Sequence, residues 1–172
     1  MTKFRKYFFF LCLLVIGFSV GYTTDSLFDK FSEKKSMKKS YWQEDPVLIN
    51  CIGLLIEEDR IKKAISYWDE KGEKVSFYHY NYQKNACENK NVSGFILLKS
   101  ESGLLNDKQV LAKTKRYMIK DKIIRAEVYF KPGTYNYSML LEHELGHAFG
   151  YKHKLIPGNI MNPSYDLIGP RF

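Results

Sequence analysis

The stretch HELGHAFGYKH, residues 143–153, carries three of the chain's four histidines. On a helix His143 and His147 stand on one face, one turn above the other, so their imidazoles can converge on a single ion. Glu144 is one position round the helix, where its carboxylate can reach a water at that ion without displacing the histidines. Gly150 can end the helix, because glycine reaches backbone conformations closed to other residues. The chain can then turn and return His153 to the same ion; a continuous helix would carry His153 well off the shared face. The competing reading, one polar face of an ordinary helix, leaves the concentration of histidines in this stretch unexplained.

The 172 residues suffice for one domain with a real hydrophobic core. Lys3, Arg5 and Lys6 precede an uncharged apolar run over residues 7–21, and polarity returns at Thr23, Thr24 and Asp25. Residues 1–24 therefore read as a secretory signal or an N-terminal membrane anchor, with possible membrane association through this segment and the rest of the chain exported: secreted, periplasmic or held at the outer face of a membrane. Residues 25–41 are a polar, Lys-rich linker, and residues 42–172 a single domain. Of the formal net charge of +8, the three basic residues before the apolar run carry +3, leaving +5 for the remainder. That charge suits solubility or an anionic surface, and no nucleic-acid partner is expected from it.

Cys12 lies in the leader, which leaves Cys51 and Cys87 in the folded part. An exported compartment permits a disulfide between them; the alternative is two reduced, separately buried cysteines. The lack of a CxxC pair argues against a zinc knuckle or a thioredoxin-like site.

VLINC (47–51) suits a first strand, and IEEDRIKKAISYWDEKG (56–72) an amphipathic helix with early acids and Gly72 as its stop. VSFYHY (75–80) and FILLKS (95–100) read as strands, CENKNVSG (87–94) as a turn region and residues 101–108 as a loop. VLAKTKRYMI (110–119) has the basic pattern of an exposed edge strand, and IIRAEVYF (123–130) is the last strong strand, ended by Pro132 and Gly133. Residues 137–149 read as the helix that carries the histidines, followed by an irregular tail. The expected fold class is α/β (α+β), a mixed twisted sheet of about five strands with a backing helix, an active-site helix and a minimal irregular C-terminal subdomain.

His143, Glu144, His147, Gly150 and His153 match HExxHxxGxxH, and Ile160-Met161-Asn162-Pro163 resembles a Met-turn. Over residues 137–165 the chain thus resembles the metzincin zinc endopeptidases, most of all the matrixin catalytic domain. The resemblance implies a zincin fold, one catalytic Zn2+ on His143, His147 and His153, and Glu144 as general base for hydrolysis of a peptide or protein substrate. It also implies structural support from Gly150 and from Met161 as a hydrophobic base beneath the ligands. The 110–119 edge would align the substrate. With eleven residues after Met161 the matrixins' C-terminal helix is not expected here, and their structural-zinc histidines have no counterpart among the four histidines.

Other residues carry weaker signals. His79 reads as structural or surface, and Glu142 points elsewhere than the ion, toward a surface or supporting role. Asp166 suits either a hydrogen bond beneath the site or capping near the chain end. Tyr165 is expected to pack the last loop, with an approach to the substrate or the zinc as the alternative.

Overall fold

A computed structural model describes residues 40–107 and 109–169. The leader and linker assigned to residues 1–39 lie outside the described residues.

Six strands form one sheet: β1 (Tyr41–Trp42), β2 (Val47–Asn50), β3 (Phe77–His79), β4 (Phe95–Ser100), β5 (Ala112–Ile119) and β6 (Lys122–Phe130). Their order is β3-β2-β4-β6, with β5 beyond β6 and the short β1 paired to the first two residues of β6. All pairings are parallel except β5 with β6. The architecture is therefore α/β, a mixed sheet backed by helices. Leu48, Ile96, Leu97 and Leu98 in the central strands are fully buried, as near-continuous apolar runs covered on both faces should be.

Parallel neighbours need a crossover, and the helix between β2 and β3 supplies it. This is α1 (Glu58–Asp69), whose Ile61, Ala64 and Trp68 form the buried stripe. Glu58 and Asp59 occupy its first turn, where negative charge complements the helix dipole. The chain leaves α1 through Gly72 at φ +82°.

The opposite face of the sheet holds two different fillings. One is apolar: Ile49, Leu97, Ala86 and Cys87 cluster under α2 (Lys84–Glu88). That short helix runs two residues into the segment expected as a turn, 87–94, and the Cys51–Cys87 disulfide ties it to the end of β2. A bond of this kind belongs to an oxidising compartment. The other filling is polar: the buried Glu127 carboxylate accepts hydrogen bonds from Lys99 (2.6 Å), Tyr117 (2.7 Å), Tyr129 (2.6 Å) and Arg125. Burial by itself would raise this carboxyl, but its four donors more than offset that and hold it at about 2.

β5 is an edge, hydrogen-bonded to β6 alone. Thr114 pairs with Val128 and Arg116 with Ala126, so Thr114 and Arg116 share the face on which those two core residues are buried. Lys113 and Lys115 point the other way.

The histidine-bearing helix α3 (Leu140–Ala148) starts three residues later than the sequence pattern places it. Turns closed by Tyr137 N–H to Thr134 O and Leu140 N–H to Tyr137 O occupy the missing segment. Met139, at φ +63°, breaks the right-handed path just before the helix.

Among the described residues no helix is long and apolar enough to cross a membrane. As far as the described residues go, this corrects the expectation of membrane association; the apolar run at residues 7–21, on which that expectation rested, lies outside them.

The Glu127 cluster makes stability depend on acid. Its folded pKa lies below the ordinary value of 4.5, so the carboxylate's contribution is present above about pH 4.5 and is lost as pH falls toward about 2. The loss is on the order of 3 kcal/mol. Urea unfolding across that window should show the slope, and Glu127→Gln should flatten it. Reducing the disulfide should cost about 4 kcal/mol from the entropy of the loop it closes, seen as a lower melting temperature in dithiothreitol.

Candidate metal centre

α3 is buried nearly all round: Leu141, Leu145 and Ala148 are fully enclosed, and so, almost, are the polar Glu142, His143 and Glu144. Each buried polar group has a partner, as burial requires. Glu142 makes a two-pronged ion pair with Arg60 of α1, so its place is a buried inter-helix lock and not the surface. Trp68 Nε1 donates to the Glu142 carbonyl at 2.7 Å, and its ring packs against Tyr151 and Phe149.

Gly146 lets the helix come this close to its neighbours. A Cβ there would lie 2.3 Å from Met161 Sδ and 2.6 Å from Trp68 Cζ2. Met161, 1% exposed, thereby packs directly against the turn between His143 and His147.

The helix ends in a Schellman motif: Tyr151 N–H bonds to Gly146 O at 2.9 Å and Gly150 N–H to His147 O at 3.0 Å, with Gly150 at φ +103°. A side chain at Gly150 would also strike the Ser40 carbonyl, 2.1 Å from the position of a Cβ. The reversal turns the chain back, and Lys154 N–H to Met161 O closes the following loop at 2.9 Å. Asn159 and Asn162 hold that loop through side-chain bonds to Met161 N–H and Ile156 O.

Three imidazoles meet as a result. His147 Nε2 lies 3.1 Å from His143 Nε2 and 3.0 Å from His153 Nε2. His143 Nδ1 donates to Ile160 O at 2.7 Å and His147 Nδ1 to Tyr151 O at 2.9 Å. With the proton fixed on Nδ1 in each neutral ring, both Nε2 atoms present bare lone pairs to one another, an arrangement that repels unless a cation lies between them. Nitrogens bound at about 2.0–2.1 Å to one tetrahedral ion stand roughly 3.3–3.4 Å apart. The donor set therefore fits a divalent metal ion, and the three residues have one ligand atom each within 4.8 Å of the others.

The electrostatics suit neutral donors. Burial lowers the pKa of His143 and His153 and, aided by the neighbouring imidazoles, takes His147 to about 4. Glu144 sits beside them, its carboxyl pushed up to about 7 by burial despite a 2.5 Å hydrogen bond from Thr114 Oγ1 of β5.

The cluster forms the floor of a cleft of about 430 Å³ between β5 and the last loop, with Thr114 and Arg116 on one wall and Pro163 and Tyr165 on the other. Tyr165 is tied down by its hydroxyl, which donates to Ser138 O at 2.9 Å. Asp166 lies in the short 3-10 turn Tyr165–Leu167. His79 is remote in the topology, on β3 at the opposite edge of the sheet from β5, with its ring against Phe77.

Sequence reasoning missed Thr114, Gly146 and the two carbonyls of Tyr151 and Ile160. A glycine between two same-face histidines is a readable sign of close packing. Nothing in the pattern of an edge strand announces that one threonine meets a glutamate on a distant helix.

No family model matches the chain, and comparison with curated proteins finds no match. The fold and the site together define an α/β domain bearing a three-histidine cluster able to hold a divalent metal ion.

Gly146→Ala should overpack the seam among α3, Trp68 and Met161 and destabilise the domain by about 1–3 kcal/mol. Chemical denaturation measures it, and Gly103→Ala, with only ordinary contacts near the added Cβ, is the control.

Proposed function

We propose that the chain is an exported zinc-dependent endopeptidase of the metzincin kind, nearest in its motifs to the matrixins. In this reading residues 1–24 are the export signal, 25–41 a linker and 42–172 the peptidase domain. The observation that carries it is the convergence of three neutral imidazoles, 3.0–3.1 Å between facing nitrogens, beside a buried carboxyl at the floor of a cleft walled by an open strand edge.

His143, His147 and His153 would hold the ion through their Nε2 atoms, with two of the rings oriented by the Ile160 and Tyr151 carbonyls. Zinc at such a site supplies Lewis acidity, which lowers the pKa of water from about 15.7 toward about 7 and polarises a carbonyl.

Glu144 is the general base. Its carboxylate takes the proton from the attacking water as oxygen bonds to the scissile carbonyl carbon. It returns that proton to the amide nitrogen as the carbon–nitrogen bond breaks. A carboxyl held near pH 7 can do both, and Thr114 keeps its Oε2 in one orientation. β5 offers unpaired backbone donors and acceptors on the cleft side, where an extended peptide can add as another strand. Met161 and Gly150 act structurally, the first as packing beneath α3 and the second as the turn that returns His153.

Elemental analysis of the full chain should find one zinc per molecule, removable by chelation with loss of peptide cleavage. Glu144→Gln should keep the zinc and lower turnover at least about 100-fold. His143→Ala, His147→Ala or His153→Ala should each weaken zinc binding by more than about 100-fold. Zinc-loaded chain that leaves a diverse peptide library uncut, or Glu144→Gln chain that cuts as fast as the parent, would refute the proposal.

A further inference from the structure

The charges that line the cleft differ in their partners. Lys113 is paired with Glu101 at 2.6 Å, and its side chain lies on the far face of β5. Glu144 is buried under Thr114. Arg116 is half-buried, on the same face of β5 as Thr114, and lines the cleft. A guanidinium offers five N–H donors, and among the described residues the side chain has one partner, Ser40 Oγ, 3.2 Å from Nη1. It has no carboxylate partner there. Burial holds its pKa below the usual arginine value, a sign of lost hydration that, among the described residues, the Ser40 contact replaces only in part. A half-buried guanidinium with spare donors matches the planar, two-oxygen geometry of a carboxylate better than any other common peptide group.

Its place along the strand gives a direction. Thr114 marks Glu144, and Arg116 lies two residues further toward the C-terminal end of β5, about 6.5 Å along the strand. Antiparallel pairing is the more stable mode, so a peptide added to β5 runs with its N-terminal part toward Arg116. We infer that Arg116 is a specificity-determining residue whose guanidinium binds an aspartate or glutamate side chain one to three residues before the cleaved bond. The substrate class is therefore peptides acidic on the N-terminal side of the cut. This inference rests on the peptidase reading, and it names a residue that the histidine motif does not contain.

The test uses the zinc-loaded full chain and a positional peptide library, blocked at both ends so that only side chains supply carboxylates, with a second set bearing free C-terminal carboxylates. Cleavage should favour Asp or Glu over Gln or Lys at one of the three positions before the bond. Arg116→Gln should reduce that preference about 10- to 100-fold, Arg116→Lys should retain part of it, and Arg116→Glu should shift it toward Lys and Arg. Zinc content and melting temperature should stay at parental values in the glutamine and lysine variants.

A preference absent from the parent, unchanged in Arg116→Gln, found only after the bond, or seen only with free C-termini overturns the inference while leaving the peptidase reading intact. Fluorescence anisotropy with labelled acidic, neutral and basic peptides separates the two ideas. Acid-selective binding that needs Arg116, with no peptide cut, sinks the hydrolase and the placement before a cut, and sustains only the contact between Arg116 and a carboxylate. No acid-selective binding in a chain that cuts nothing sinks both.

Discussion

At Gly150 the backbone adopts φ +103° and passes the Ser40 carbonyl with no room for a Cβ. This reversal decides whether the chain has a metal site. Two histidines on a helix face converge without help, but the third is carried away by any continuation of the helix. The Schellman bonds from Tyr151 to Gly146 and from Gly150 to His147 satisfy the last carbonyls of α3 and send the chain back at once. The same turn places the Tyr151 carbonyl against His147 Nδ1 and so fixes the tautomer of that ring. Helix termination, third ligand and ring orientation are one structural event.

A helix with three consecutive buried polar residues, Glu142, His143 and Glu144, is costly unless each is matched. The fold assigns the partners to separate elements. Arg60 on α1 takes Glu142, the Ile160 carbonyl takes His143, and Thr114 on β5 takes Glu144. α3 is thereby held from three directions, with Trp68 and Met161 filling the space that Gly146 leaves. Rigidity of this origin is what a set of ligands needs, because donors held by packing and hydrogen bonds lose little freedom when an ion binds.

The sheet divides its labour by face. One side carries α1, α3 and the cleft; the other carries the Cys51–Cys87 bond with its small apolar cluster and the Glu127 network. Stabilising elements thus sit behind the sheet, where Tyr117 of β5 joins them, and away from the cleft. That separation leaves the edge free to be both the end of the core and the wall of the cleft. The face alternation of β5 then puts Thr114 and Arg116 toward the histidines while Lys113 and Lys115 remain outside.

Much of this was legible in the residues themselves. The apolar runs marked the strands, FILLKS coinciding with β4, and the spacing of His143, His147, Gly150 and His153 was enough to bring three imidazoles together. Local chemistry decides these features: side-chain alternation, helical periodicity and the freedom of glycine act over a few residues. The late start of α3, the short α2, the burial of Glu142 and the meeting of Thr114 with Glu144 were not legible. Each depends on a partner 30 or more residues away in the chain, or, for Met139 and α2, on backbone conformations that their surroundings impose. The sequence alone determined which groups could bind an ion. Only the tertiary structure decided which carbonyls orient them, which carboxyl lies beside them and which strand edge faces them, because these are set by the packing of distant segments and leave no periodic trace.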